Sequence, residues 1–166
     1  YEFVPASVSQ APIWSECHMS PSDQVSFAER VVLQQGILDH MRTIYSKAPE
    51  FAVYDRTPID FVGYLMANVD LTCSNLFTSQ VERFIGDCIR ITLQHVDKVV
   101  IVQPAIKVEE DHGKTGKTYL SRPYQMAVNN HIIATCVKYM SSSKYVLIPE
   151  HVSSIDDRIE YLRVNL

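Results

Sequence analysis

The segment Phe51–Asp60, with the sequence FAVYDRTPID, decides how this chain is interpreted. Its first four residues are apolar or aromatic, which is typical of a short buried strand. Asp55 and Arg56 follow at once, so an acid and a base stand at the carboxyl end of that strand. Thr57 and Pro58 then match the N-cap and first position of a helix, because proline lacks the N–H that a first turn leaves unpaired. The segment therefore predicts a strand, a two-residue junction and a helix.

Two interpretations of Asp55 and Arg56 follow from their position. Ligands of open α/β sheets bind at the carboxyl ends of the strands, which favours a binding site. The alternative is an ordinary surface turn in which the two side chains form a local ion pair. Asp60 is expected in the first turn of the helix, where the helix dipole favours negative charge.

The order of apolar strand, Asp-Arg-Thr, Pro, Asp and an apolar helix over residues 61–65 resembles small P-loop nucleoside and nucleotide kinases. It looks closest to the AAA-like ATP-binding nucleotide kinases of bacteria and phages. The resemblance is sharp over Phe51–Asp60 and loose over the rest of the chain. It implies that Asp55 lies near the phosphate acceptor and the magnesium–phosphate centre, and that Arg56 holds phosphate or substrate.

Length and composition indicate a single globular domain over residues 1–166, with 46% hydrophobic and 20% charged residues. The net charge of −4 argues against an extended nucleic-acid surface. The four cysteines lack CxxC spacing, so neither a zinc site nor a disulfide framework is indicated, and Cys88 and Cys136 are expected to be reduced core residues. No apolar run approaches the roughly 20 residues that span a bilayer, and no signal peptide is recognised, which indicates the cytoplasm and no membrane partner. A homodimer is one oligomeric state that the sequence leaves open.

Three apolar runs have the length and composition of strands: Phe51–Tyr54, Val99–Val102 and Tyr145–Ile148. Helical patterns of ten or more residues separate them, which predicts a mostly parallel sheet with helices on both faces. This is a three-layer α/β/α fold, and the resemblance implies that it is of the P-loop NTPase type. Val53 and Ile101 are expected to be almost fully buried.

The opening residues 1–5 predict a further strand. In the resembled kinases such a segment is the second strand, preceded by a first strand and a Walker A loop. The resemblance therefore implies either that the chain is incomplete at its N-terminus or that this protein has lost the loop.

A long helix is predicted from about Val25 to about Lys47 by apolar residues spaced three and four apart. Arg30 and Gln34 are expected to lie off that stripe, as part of a solvated face. In the resembled kinases the corresponding helix borders the acceptor pocket, which implies a substrate-binding role for both residues. In a later apolar helix, Gly86 costs about 1 kcal/mol relative to alanine, which suggests close packing there.

The triplet GKT at residues 116–118 matches the end of a Walker A loop. The first position of that motif falls on Asp111, where the loop needs a glycine and where a negative charge would face the phosphates. The segment also does not follow its strand directly. A Walker A loop is therefore not predicted here.

Residues 105–120 form the most charged loop of the protein. In the resembled kinases a mobile basic segment at this place closes over the phosphates. The resemblance thus implies a lid in which Lys114, Lys117 and Arg122 neutralise the transferring group. The alternative is a solvated hairpin whose lysines balance the preceding acids.

Two hypotheses for the function follow. The first is a phosphotransferase that uses ATP and Mg²⁺ and acts on a nucleoside or nucleoside monophosphate. Asp55 would be a general base or reach the metal through a bound water, Arg56 would grip acceptor phosphate, and Arg122 would stabilise the transition state. The alternative is a non-catalytic module that binds nucleotide or a partner and keeps the kinase-like fold without the P-loop.

Overall fold

The computed structural model describes residues 2–5, 8–19, 25–69, 75–104 and 122–166. The chain divides into two compact units, Tyr1–Val96 and Asp97–Leu166. Helices account for most of the described residues, and each strand has three or four residues. Within the ranges described, no helix is both long and apolar enough to cross a membrane.

The elements of the first unit are, in chain order, β1 (Glu2–Val4), α1 (Ile13–Glu16), α2 (Phe27–Ser46), β2 (Ala52–Tyr54), α3 (Pro58–Met66) and α4 (Thr78–His95). The elements of the second unit are β3 (Val99–Val102), α5 (Arg122–Tyr139), β4 (Tyr145–Ile148) and α6 (Ile155–Asn165). Short 3₁₀ turns precede α1, α4 and β4.

The strands that the structure describes form two separate two-stranded parallel sheets. β1 pairs with β2, with Phe3 opposite Val53, and β3 pairs with β4, with Ile101 opposite Leu147. The predicted strand positions are confirmed, but the three-layer α/β/α fold with one mostly parallel sheet is wrong. The described residues are mainly helical, and neither sheet has more than two strands. An apolar run predicts that a segment is extended, but it does not specify the strands with which that segment pairs.

The strands predicted as interior differ in burial. Ile101 is 4% exposed, which confirms the prediction for β3. Val53 is 52% exposed, so the prediction for β2 is wrong. Tyr54 packs against the core of the first unit, whereas Val53 points to the opposite face, because successive side chains of a strand alternate. Phe3 shares that exposed face with Val53, since the two are register partners.

Helices α2, α3 and α4 pack on one another and supply most of the core of the first unit. The buried residues of this core are Ala11, Val31, Ile37, Leu38, Met41, Tyr45, Phe61, Val62, Leu65, Phe84, Cys88 and Ile91. Burial of each large apolar side chain contributes about 1.5–3 kcal/mol. Cys88 and Cys136 are both buried, as predicted, and neither belongs to a disulfide within the part of the chain that the structure describes.

Helix α2 begins at Phe27 rather than near Val25, because a capping box fixes its first turn. Ser26 Oγ accepts a hydrogen bond from the Glu29 backbone N–H at 3.3 Å. In return, the Glu29 carboxylate accepts one from the Ser26 backbone N–H at 2.8 Å. Each side chain satisfies an N–H group that the helix start would otherwise leave unpaired.

Two glycines inside helices lie in different surroundings. A Cβ added at Gly36 would lie 2.6 Å from side-chain atoms of Ile13, so α1 packs directly on the bare backbone of α2. A Cβ added at Gly86 would meet nothing within 4 Å. The close packing expected at Gly86 is therefore wrong.

We predict opposite effects of alanine at these two glycines. Gly86→Ala should raise the free energy of unfolding by about 1 kcal/mol, because alanine is the better helix former and has room. Gly36→Ala should lower it by about 1–3 kcal/mol, because the new methyl group displaces Ile13. Denaturant unfolding of the two variants measures both values. Stabilisation by both would contradict the close contact between α1 and α2.

Candidate functional site

The junction between β2 and α3 brings Asp55 and Arg56 to the carboxyl ends of two parallel strands. The Asp55 backbone N–H donates to the Val4 carbonyl at 3.2 Å, so pairing with β1 continues one residue past β2. Thr57 is extended, and α3 begins at Pro58 as predicted. The predicted strand, junction and helix are therefore confirmed as local structure.

The backbone of Arg56 is in the left-handed region, with φ of 80°. A residue with a Cβ pays about 1–2 kcal/mol there, because the Cβ approaches the following carbonyl oxygen. The Tyr45 hydroxyl donates to the Arg56 carbonyl at 3.2 Å and so helps to hold this conformation. Tyr45 is itself fixed in the core, with its ring edge-to-face against Tyr54 at a centroid distance of 4.6 Å.

The guanidinium of Arg56 is held by one aromatic side chain of α3. Arg56 Nη1 donates to the Tyr64 hydroxyl at 2.7 Å. Arg56 Cζ lies 5.1 Å from the centroid of the same ring, which is a cation–π distance. Arg56 remains exposed, and its contacts with Tyr64 restrain the guanidinium.

The Asp55 side chain is also exposed. Among the residues that the structure describes, no hydrogen bond or ion pair involves its carboxylate. The local ion pair between Asp55 and Arg56, the alternative interpretation of the motif, is therefore not formed in the structure. Within the described ranges, the junction therefore presents an exposed carboxylate that has no bonded partner, next to a guanidinium that contacts Tyr64.

Asp60 stabilises the junction through hydrogen bonds with Thr57. Its carboxylate accepts hydrogen bonds from the Thr57 backbone N–H at 2.7 Å and from the Thr57 hydroxyl at 3.0 Å. Burial raises the pKa of Asp60, and the hydrogen bonds from Thr57 together with the positive charge of Arg56 offset only part of that effect. Burial also raises the pKa of Tyr45, and the negative charge of Asp60 adds to it. Tyr45 is therefore a neutral hydrogen-bond donor to the junction.

We predict that the titration of Asp60 makes the unfolding free energy depend on pH. Because its pKa is higher in the folded than in the unfolded protein, the ionised carboxylate costs stability above the folded pKa. That cost disappears as the pH falls through the folded pKa towards the unfolded value of about 3.9. Asp60→Asn cannot titrate. The unfolding free energy of the wild type should therefore rise relative to that of Asp60→Asn when denaturation is measured from about pH 8 down to about pH 4. A relative fall over that interval would contradict the raised pKa.

The strain in the backbone of Arg56 can be tested separately from its side-chain contacts. Arg56→Gly and Arg56→Ala both remove the contacts with Tyr64, and only alanine retains a Cβ. Glycine should be the more stable of the two by about 1 kcal/mol, because relief of the left-handed conformation exceeds the larger entropy of an unfolded glycine. Thermal or denaturant unfolding of the pair measures the difference. Equal stability, or a more stable alanine variant, would show that the backbone of Arg56 is not strained.

Arg30 and Gln34 both lie on α2, and Arg30 is half-buried. Gln34 precedes the buried residues Ile37, Leu38 and Met41 by three, four and seven positions, so it lies on the core-facing side of α2. Its Oε1 is buried, with no hydrogen-bond partner among the described residues. The expectation that Gln34 lies on a solvated face is therefore wrong. No hydrogen bond links either residue to Asp55 or Arg56 within the described ranges.

Arg122 belongs to the second unit, where it is the first residue of α5. Its Nη2 lies 3.2 Å from Glu150 Oε1, and both side chains are largely exposed. In the same unit, Gln103 Nε2 donates to the Ile148 carbonyl at 3.1 Å and ties together the carboxyl ends of β3 and β4. Arg122 thus lies near the end of that sheet and already has one anionic partner.

Lys114 and Lys117 lie outside the described residues, as does the whole of the predicted lid over residues 105–120. The triplet at residues 116–118 lies there too. The lid stays a prediction.

Sequence reasoning missed the two tyrosines that hold Arg56. Tyr45 lies on the predicted helix α2, and Tyr64 lies eight positions after Arg56 on the predicted helix α3. Side chains of a helix tilt towards its N-terminus, so a long side chain about two turns into α3 can reach the residue before the helix. The spacing of eight positions is therefore the signal that could have identified Tyr64. No comparable spacing connects Tyr45 with Arg56, because that contact depends on the packing of α2 against the junction.

A groove of about 730 Å³ lies elsewhere in the first unit, between α1, α2 and α4. Its walls combine apolar residues such as Ile13 with polar ones such as Gln35, Asp39 and Arg83. His40 also lines it, and His40 Nε2 is buried with no hydrogen-bond partner among the described residues. The groove shares no residue with the junction.

Comparison of the chain with protein-family models, curated proteins and solved structures found no match.

Proposed function

We propose that this chain is an ATP-dependent phosphotransferase that acts on nucleosides or nucleoside monophosphates, and that the β2–α3 junction receives the acceptor. The observation that carries the proposal is the left-handed backbone of Arg56, next to an exposed Asp55 at the carboxyl ends of parallel strands. Strained conformations of this kind cluster at active sites and ligand clamps. Ligands of parallel sheets also bind at this end of the strands.

Arg56 is suited to hold a phosphate of the acceptor. A guanidinium offers planar pairs of N–H donors, which match two phosphate oxygens at once. The contact of Arg56 with Tyr64 restrains the side chain before a ligand arrives. A restrained side chain loses less conformational entropy on binding, which favours affinity.

Asp55 is suited to act on the acceptor hydroxyl. A carboxylate within hydrogen-bond reach of that hydroxyl can accept its proton as the new bond to phosphorus forms. Asp55 is available for this role because it is exposed and its carboxylate has no partner among the described residues. Asp60 is not available, since its carboxylate is bonded to Thr57.

The proposal includes ATP with bound Mg²⁺ as the donor of the phosphoryl group. Mg²⁺ in such sites is commonly held by one or two carboxylates together with phosphate and water oxygens, and Asp55 fits one of those positions directly or through a water. The described residues contain no cluster of three or more His, Cys, Asp or Glu side chains that is placed to hold a metal ion, so in this proposal phosphate and water complete the shell. ATP bound with Mg²⁺ supplies the phosphoryl group.

The remaining assignments rest on the resemblance alone. Lys114, Lys117 and Arg122 would neutralise the transferring group, and Arg122 would have to exchange its partner Glu150 for phosphate. Arg30 and Gln34 would border the acceptor. A cytoplasmic location suits an enzyme that consumes ATP and is part of the same proposal.

A non-catalytic binding module is the second candidate. It is favoured by the exposed apolar face of the first sheet, where Phe3 is 65% and Val53 is 52% exposed. Exposed apolar surface next to a polar junction is typical of contact sites for other proteins. In this version Asp55 and Arg56 bind a nucleotide or a partner, and no phosphoryl group is transferred.

Phosphoryl transfer from ATP to a panel of nucleosides and nucleoside monophosphates tests the proposal. The full-length gene product is assayed with Mg²⁺, and the binding of each compound is measured in parallel by calorimetry. Turnover of at least one acceptor supports the phosphotransferase. Binding without turnover favours the module, and the absence of both contradicts the phosphotransferase and the nucleotide-binding form of the module.

A further inference from the structure

Helix α6 of the second unit carries an apolar stripe that is exposed except for the half-buried Leu162. No residue of α6 is buried. Ile155 is 73% exposed, Ile159 is 45% exposed and Leu166 is 64% exposed. Leu162 is half-buried, and the Leu166 backbone N–H donates to the Leu162 carbonyl at 2.9 Å, so helical bonding continues to Leu166.

The spacing of this stripe is that of a coiled-coil seam. Ile155, Ile159, Leu162 and Leu166 follow one another at intervals of four, three and four residues. Such intervals keep apolar side chains facing a partner helix as two helices wind around each other. Val164 is also exposed but lies off this stripe, so exposure alone does not define the seam.

The charges that flank the seam favour one orientation of a partner helix. Asp156 and Arg163 stand at equivalent flanking positions of successive heptads on one side of the seam, and Arg158 stands on the other side. In a parallel pair of identical helices, Arg158 would face Arg163 of the second copy, which is repulsive. In an antiparallel pair, Asp156 faces Arg163 of the second copy, and two-fold symmetry repeats the contact.

Arg163 can make this contact without losing much. Its Nη1 lies 3.3 Å from Glu160 Oε2 on the same helix, and both side chains are more than two-thirds exposed. Exposed ion pairs of this kind contribute little, so the guanidinium is free to turn towards a second copy.

We propose that α6 is a self-association surface, on which α6 of a second copy packs antiparallel through Ile155, Ile159, Leu162 and Leu166. Asp156 and Arg163 form the two flanking ion pairs that set the orientation. The helix has 11 residues, and stable dimers bury roughly 800 Å² per partner, so α6 alone forms a weak dimer that depends on concentration. The proposal does not depend on the phosphotransferase.

Sedimentation equilibrium of the full chain over a wide concentration range tests the surface. The wild type should show a monomer–dimer equilibrium. Ile159→Asp should remove the dimer, and Val164→Asp, an equal change off the seam, should leave it intact. Circular dichroism checks that both variants are folded. A wild type that is monomeric throughout, or a dimer that survives Ile159→Asp, overturns the proposal.

Charge variants test the orientation. Arg163→Asp makes both flanking contacts acidic, and Asp156→Lys makes both basic. Each variant alone should therefore dimerise with an affinity at least about tenfold lower than that of the wild type. An equimolar mixture of the two variants should recover the dimer, because each contact again joins an acid to a base. Failure of the mixture to recover it contradicts the antiparallel pairing.

Discussion

Asp55→Asn should lower the turnover number for phosphoryl transfer from ATP by about 10²–10⁴-fold, with little change in the KM of the acceptor. Asparagine keeps the size and polarity of the side chain but cannot accept the proton of the acceptor hydroxyl or provide the negative charge that a metal ion prefers. The effect therefore falls on the chemical step rather than on binding. Steady-state kinetics with the best acceptor of the panel measures both parameters.

A loss of activity in Asp55→Asn can be distinguished from a loss of folding. The Asp55 side chain is exposed and has no bonded partner among the described residues, so Asp55→Asn should leave the unfolding free energy almost unchanged. Glu50→Gln is the matched control, because Glu50 is an exposed acid just before the other end of β2. It should keep full activity. Near-normal turnover of Asp55→Asn in an active parent enzyme would remove Asp55 from the mechanism.

Arg56→Lys should raise the KM of nucleoside monophosphates by roughly 10- to 100-fold, which corresponds to the loss of a charge-assisted hydrogen bond. Lysine keeps the charge but loses the planar pair of donors and the fixed position over the Tyr64 ring. Acceptors that carry no phosphate should be affected much less. Kinetics with a nucleoside and its monophosphate side by side distinguishes the two cases.

The control for this variant is the same substitution at another exposed arginine of the first unit. Arg42→Lys changes a side chain that is paired with Asp39 at 3.6 Å on the surface of α2. It should alter neither KM. An equal rise in KM for the nucleoside and its monophosphate at Arg56→Lys would mean that Arg56 does not recognise the acceptor phosphate.

The sequence predicted local structure better than the arrangement of the strands. Thr57 and Pro58 fixed the start of α3, and apolar runs marked β2, β3 and β4, because caps and apolar patterns act within a few residues. The grouping into two separate sheets depends on contacts between distant segments, which an apolar run does not encode. The same limit explains Val53, whose composition predicts a strand but whose burial depends on what covers that face.

For the candidate site too, the sequence predicted the local position of the residues but not their tertiary contacts. The sequence placed Asp55 and Arg56 at a strand end, and the structure has them there. The left-handed conformation of Arg56 could not be anticipated, because the residue type gives no reason for it. It follows from tertiary contacts, including the hydrogen bond from Tyr45. Gln34 was misplaced because its polarity suggested solvent, whereas its spacing on α2 puts it on the core-facing side.

The most direct test of the central claim is to locate the bound nucleotide. ¹⁵N-labelled protein is titrated with a nucleoside monophosphate in the presence of Mg²⁺, and the changes in amide chemical shift are mapped on the chain. The account predicts that the largest changes occur at Asp55, Arg56 and Thr57, with a further change at Tyr64. Changes confined to other regions, such as the groove around His40, or no change at saturating ligand, would contradict it.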